Sequence, residues 1–234
     1  MPAATASLAQ TIRARLEEVA DPARAPGMQA YMKSAMPFLG ISAVPLRQAC
    51  RELFKGLSWS RAEAWQADVL AIWRGAQFRE ERHAAIELTG VKAARPFHDL
   101  SALPMYQEMI VTGAWWDYVD AIAAQRLWAI LQREGEEMKR IMLAWSTDAD
   151  MWKRRSAILC QLRAKAETDL ELLYACIEPS LDSKEFFLRK AIGWALRQYA
   201  WTDPAEVRRY VDRNFSRLSS LSRREALKNI GAAG

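Results

Sequence analysis

Apolar positions along the chain recur at three- and four-residue spacing, which is the period of amphipathic helices. The pattern predicts helices over 5–20, 28–35, 44–55, 60–73, 79–92, 104–111, from 114 onward, 126–145, 150–164, from 168 onward, 183–199, from 203 onward and 222–230. Capping chemistry marks many of the starts. Ser60-Arg61-Ala62-Glu63, Thr168-Asp169-Leu170-Glu171 and Ser222-Arg223-Arg224-Glu225 have the spacing of capping boxes. Asp148 or Asp150 opens the segment over 150–164, and Ser183 opens the long segment to Tyr199. Asp203-Pro204-Ala205-Glu206 combines an N-cap, a proline at the first helical position and an acid in the first turn. Gly56 and Gly231 read as terminators. No segment alternates with period two.

About a dozen short helices without heptads predict an all-α helical-repeat solenoid of antiparallel pairs. No strict sequence repeat supports the period, so an irregular bundle is the alternative. A length of 234 residues admits one large domain or two small ones. No Gly/Ser linker or low-complexity stretch divides the chain, and a single domain over 1–234 is expected.

Composition narrows the setting. Apolar residues make up 51% and charged residues 26%, enough to bury a core. No run approaches the length of a membrane span, and residues 1–10 lack the pattern of a secretory signal. Cys50, Cys160 and Cys176 are scattered among apolar neighbours and read as reduced thiols of a cytoplasmic protein. The net charge is +5, and it is concentrated late: Met151 to Lys165 holds five basic residues and no acid. Asp182 to Ile230 holds eleven basic residues against six acidic ones. Such a surface suits a polyanion such as nucleic acid.

Three segments break the core pattern. In the helix from Ala114, Trp115, Tyr118, Val119 and Ile122 form the apolar stripe, while Trp116 and Asp120 pair at i, i+4 away from it. This pair reads as a site, or as a partly exposed ring beside a solvated acid. In the helix from Asp150, Arg155 falls within the stripe of Met151, Ile158, Leu159 and Leu162. It must meet a carboxylate, carbonyls or an external anion, because an unpaired buried cation is costly. In the helix from Ser183, Trp194 lies off the stripe of Phe187, Leu188, Ala191, Ile192, Ala195, Leu196 and Tyr199, beside Lys190, Gly193 and Arg197. An aromatic among cations suits a nucleic-acid surface, or else packs on a neighbouring helix.

Other catalytic kits are missing. His83 and His98 have no partners at metal-ligand spacing, so neither metal nor cofactor is expected. Glu80-Glu81-Arg82-His83 reads as a solvated helix face. No glycine-rich phosphate loop or nucleophile elbow occurs. If the protein is an enzyme, its acid–base group is a carboxylate, with Asp120 the best placed.

Five ordered stretches resemble the AlkD-type DNA alkylation repair glycosylases, a family of HEAT-like repeat proteins. They are Tyr31-Met32-Lys33 with Pro37-Phe38-Leu39-Gly40-Ile41, Gly113 to Asp120, Trp152 to Ile158, Phe186 to Arg197, and Leu221 to Ala226. The resemblance implies a curved HEAT-like fold acting on duplex DNA, and excision of cationic N3- or N7-alkylated purines to leave an abasic site. It places the catalytic carboxylate on Asp120, the sugar-contacting tryptophans on Trp116 and Trp194, and the phosphate-gripping arginine on Arg155. Lys33, Arg47, Lys153, Arg154, Lys190 and Arg197 are the further DNA-contact candidates. One departure is Pro45-Leu46-Arg47-Gln48, where relatives often carry a second basic residue. A monomer acting on double-stranded DNA is expected, the alternative being a non-catalytic helical-repeat DNA-binding or scaffold protein.

Overall fold

The computed structural model describes residues 7–230, and among them the only regular structure is helical. Fourteen α-helices follow in order: α1 Leu8–Glu18, α2 Ala25–Met32, α3 Ala43–Leu53, α4 Ala62–Gly75, α5 Arg79–Leu88, α6 Leu103–Gly113 and α7 Trp116–Ala121. Then come α8 Trp128–Glu134, α9 Glu136–Ser146, α10 Met151–Leu159, α11 Leu170–Ile177, α12 Phe186–Tyr199, α13 Pro204–Arg213 and α14 Ser220–Ala226. Short 3-10 turns join several of them, and a π-helical segment, Ile122–Leu127, connects α7 to α8. Neighbouring helices pack as pairs, α4 on α5, α9 on α10 and α12 on α14 among them, as a helical-repeat fold requires. No helix among the described residues is long and apolar enough to cross a membrane.

The chain divides into two compact units, 1–105 and 106–234. In the first, Ile12, Leu16, Trp65, Val69, Trp73 and Leu88 are completely or almost completely buried where α1, α4 and α5 meet. Here one sequence reading is overturned. Glu80 and Glu81 do not form a solvated face: they are 1% and 2% exposed. The Glu80 carboxylate accepts the backbone N–H groups of Leu39 (3.0 Å), Gly40 (2.9 Å) and Ile41 (3.1 Å). Glu81 accepts those of Gln77 and Phe78 and the Arg13 Nε–H. A buried carboxylate is tolerated because three donors replace its water. Gly40 is obligatory in that loop: its φ is +84°, and a Cβ there would lie 2.0 Å from the Asp21 carbonyl oxygen.

In the second unit the core runs through Met109, Ile110, Tyr118, Val119, Ile122, Leu127, Ile130, Met138, Ile158, Leu188, Ile192 and Val211. All three cysteines of the chain are free and buried. Burial pushes the Cys50 and Cys176 thiols up to about 12.

Helix boundaries depart from the sequence reading at several places, for local reasons. The expected helix over 126–145 is broken at Gly135, whose φ of +52° closes α8 and opens α9. α4 starts at Ala62 with Arg61 at its N-cap, so Ser60 makes no cap. Asp169, not Thr168, caps α11 by accepting the Leu172 N–H at 3.1 Å. Glu185 replaces Ser183 at the start of α12, and Ser219 replaces Ser222 at the start of α14. The caps at Asp150 and Asp203 form as expected. The first predicted helix reaches into residues 5–6, and Gly231 is the predicted terminator of the last; both lie outside the described residues.

Candidate active site

α7 begins at Trp116, two residues later than the Ala114 start that the sequence implies. Ala114 takes a left-handed φ of +42°, and Trp115 is extended at the N-cap position. Trp116 is therefore the first helical residue, and Asp120 lies one turn on. Behind them Tyr118 and Val119 are completely buried, as the stripe predicts, whereas Trp115 is only half-buried. Beyond Ala121 the π-helical turns carry Ile122, Ala123 and Ala124, three consecutive residues that are all buried. A wider turn accommodates more neighbours on one side than an α-turn does, and such segments are frequent at functional sites.

α10 is launched by Asp150, whose carboxylate accepts the N–H groups of Trp152 (2.8 Å) and Lys153 (3.0 Å). This sets Arg155 inward, at 3% exposure. Its required partner is Asp120: Nε donates to Oδ1 at 2.7 Å and one terminal nitrogen donates to Oδ2 at 2.7 Å. The second terminal nitrogen donates to the Phe187 carbonyl of α12. The pair is a bidentate fork, the strongest arrangement available to these side chains. The Asp120 side chain is 11% exposed, so it is far from solvated. Burial raises its carboxyl above the ordinary aspartate range, opposed by the Arg155 hydrogen bonds and charge and assisted by the nearby Asp117 carboxylate.

α12 packs closely on α14. Gly193, placed off the core by the wheel, is in fact buried against it: a Cβ there would meet the Glu225 Cβ at 2.5 Å and the Ser222 oxygen at 2.9 Å. Trp194 is half-buried, as is Trp116. Lys190 and Arg197, flanking Trp194, both bond Glu225, at 2.8 Å and 2.6 Å. Lys190, burial and the neighbouring cations act on Glu225, and the net effect holds its carboxyl below the usual range.

Among the remaining candidates, Lys153 pairs with Asp148 and lies 5.3 Å over the Trp145 ring. Arg154 is half-buried, and its Nε has no hydrogen-bond partner. Lys33 and Arg47 are exposed in the first unit, Lys33 in a left-handed conformation that ends α2. The second unit thus unites Asp120 with Arg155 directly, and seats Trp194 on the helix whose Phe187 carbonyl completes the arginine's bonding. Sequence reasoning missed two contributors. Phe187 reads as core in the sequence, since its stripe position gives no hint that its carbonyl is used. Glu225 has only the place of an acid in a capping box by its spacing, although an acid within a basic C-terminal stretch is itself a signal of pairing. Among the described residues, no group of three or more His, Cys, Asp or Glu is placed to hold a metal ion.

The family model described as DNA alkylation repair enzyme matches residues 12–230. The chain belongs to that family. A solved structure, a predicted DNA alkylation repair enzyme from Enterococcus faecalis, is 29% identical, with a TM-score of 0.82 over 92% of this chain and 98% of that one. None of the curated proteins matches. Membership in a DNA alkylation repair family makes DNA the partner, and it agrees with the basic second half of the chain.

Proposed function

We propose that this member of the DNA alkylation repair family is a monofunctional DNA glycosylase that removes cationic N3- or N7-alkylated purines, such as 3-methyladenine and 7-methylguanine, from duplex DNA. The observation that carries this reading is a carboxylate, Asp120, held ionisable and oriented by a bidentate arginine within a basic chain. Arg155 already balances its charge in the resting protein, and the part of the side chain that stays exposed is free to stabilise positive charge that develops on a sugar during reaction.

An alkylated purine already bears that charge, so the glycosidic bond breaks with the base leaving as a neutral molecule. No proton need be delivered to it. Charge moves to the deoxyribose, whose oxocarbenium character the Asp120 carboxylate stabilises while it orients the attacking water. Trp116 and Trp194 hold the sugar and favour its positive charge with their ring faces. Arg155 has five N–H donors and uses three on Asp120 and Phe187. Its first role is therefore to aim Asp120, and its two remaining N–H groups are the ones that would reach a phosphate.

The test is release of free 7-methylguanine or 3-methyladenine from methylated duplex DNA. Asp120→Asn keeps the shape of the side chain and removes its charge. It is expected to lower single-turnover base release by about 10²–10³-fold, the scale of losing a preorganised electrostatic group. Wild-type release by Asp120→Asn would remove that residue from the mechanism. Salt-sensitive duplex binding without any abasic product from the unaltered protein would favour a non-catalytic DNA-binding or scaffold role instead.

A further inference from the structure

We infer that Phe187 is a positioning residue for the Asp120–Arg155 pair, acting through its carbonyl and its ring together, with Trp115 and Trp152 as its support. The inference rests on the glycosylase reading for its kinetic consequence but not for its structural one. Phe187 touches Arg155 twice. Its carbonyl accepts from one terminal nitrogen, and its ring centroid lies 5.9 Å from the guanidinium carbon. The ring is in turn fixed by two others: Trp152 at 5.0 Å and Trp115 at 5.4 Å, which stand 6.2 Å from each other.

The three rings come from three different places in the chain. Trp115 is the N-cap of α7, Trp152 stands in the first turn of α10, and Phe187 in the first turn of α12. Those are the helices that carry Trp116 and Asp120, Arg155, and Trp194. A cluster of rigid side chains, each with two rotatable bonds, thus ties together the elements that must agree on one geometry. A fork of two 2.7 Å bonds survives only if the guanidinium plane is held, and the half-buried Phe187 ring supplies an apolar wall on one side of it.

The charged groups around Asp120 are few. α10 contributes Arg155, its own helix contributes Asp117, and the π-helical segment has Arg126 as its single charged side chain. Loosening the wall weakens the one favourable partner that the structure assigns to Asp120. Its carboxyl then rises further, and less carboxylate is present at any given acidic pH.

The experiment compares the unaltered protein with Phe187→Leu and Phe187→Tyr. The Asp120 carboxyl is titrated by NMR without DNA, and the pH dependence of 7-methylguanine release is followed under single turnover. Phe187→Leu is expected to raise the Asp120 midpoint by about half a pH unit or more, and to move the acid limb of base release by the same amount. Its maximal rate should fall roughly tenfold with duplex affinity little changed, since the interaction serves the transition state. Phe187→Tyr keeps the ring and should restore both.

A lowered melting temperature with an unmoved Asp120 midpoint in Phe187→Leu would overturn the inference, as would a failure of the tyrosine to restore what leucine loses. If Phe187→Leu does not fold, Phe187→Met, of similar volume and without a ring, takes its place under the same criteria. If the unaltered protein releases no base but the midpoint shifts as expected, the positioning role stands and the glycosylase reading falls.

Discussion

Asp120 is held between two opposed effects, and its titration follows from their balance. Burial disfavours the charge, while the Arg155 fork favours it, and the net direction is upward. The chemistry proposed needs the carboxylate. Activity is therefore expected to fall as pH drops through a midpoint above the ordinary aspartate range, a loss that a pH profile of kcat/KM on methylated DNA will reveal. A midpoint at or below that range would mean that the fork dominates. The stability effect runs in the same direction as the protonation. A raised folded value adds stability below the unfolded value, and this is lost as pH rises through the folded one. Removing Arg155 would leave a buried, unpaired carboxylate, so its loss is a structural as well as a functional event.

At the scale of elements, the site depends on how closely α12 and α14 approach. Gly193 has an ordinary helical backbone and is required for space, not for conformation: a Cβ would fall 2.5 Å from the Glu225 Cβ and 2.9 Å from a backbone oxygen of Ser222. Gly193→Val is expected to destabilise the protein by about 1–3 kcal/mol, the scale of overpacking a core. Urea denaturation should register this as a lower midpoint at unchanged slope. It should also disturb Lys190 and Arg197, which meet on Glu225 across the same contact. The helical wheel could not anticipate this. A wheel sorts residues by apolar character, and glycine has none to sort by. The same blindness affected Glu80 and Glu81, which look solvated in a list of residue types but are buried under backbone donors some forty positions earlier or a turn away.

For the molecule as a whole, the excess of positive charge sets the expected salt dependence. Lys33, Arg47, Lys153, Arg154, Lys190 and Arg197 are the candidate phosphate contacts. Were all six to release counterions, the slope of log K against log salt on undamaged duplex would be about −5. Three of them, Lys153, Lys190 and Arg197, already bond acids of the chain. A slope nearer to −3 would mean that these stay on Asp148 and Glu225, and that the three others carry the binding. Binding titrations from low to moderate salt separate the two outcomes.

The sequence alone determined the helical class, because a period near 3.6 is a local property that persists wherever neighbours repeat it. It also set apart Trp116, Asp120 and Trp194, which lie off the apolar stripes of their helices, and Arg155, which lies within one. An arginine within an apolar stripe announces that a partner exists. Its partner emerges from the folded arrangement: Asp120, 35 positions earlier, gripped by two nitrogens while the third turns to the Phe187 carbonyl 32 positions later. Pairings across such separations leave no trace in local periodicity, because they depend on where whole helices come to rest. The close α12–α14 contact at Gly193, the buried acids of α5 and the three-ring support behind the fork belong to that same level.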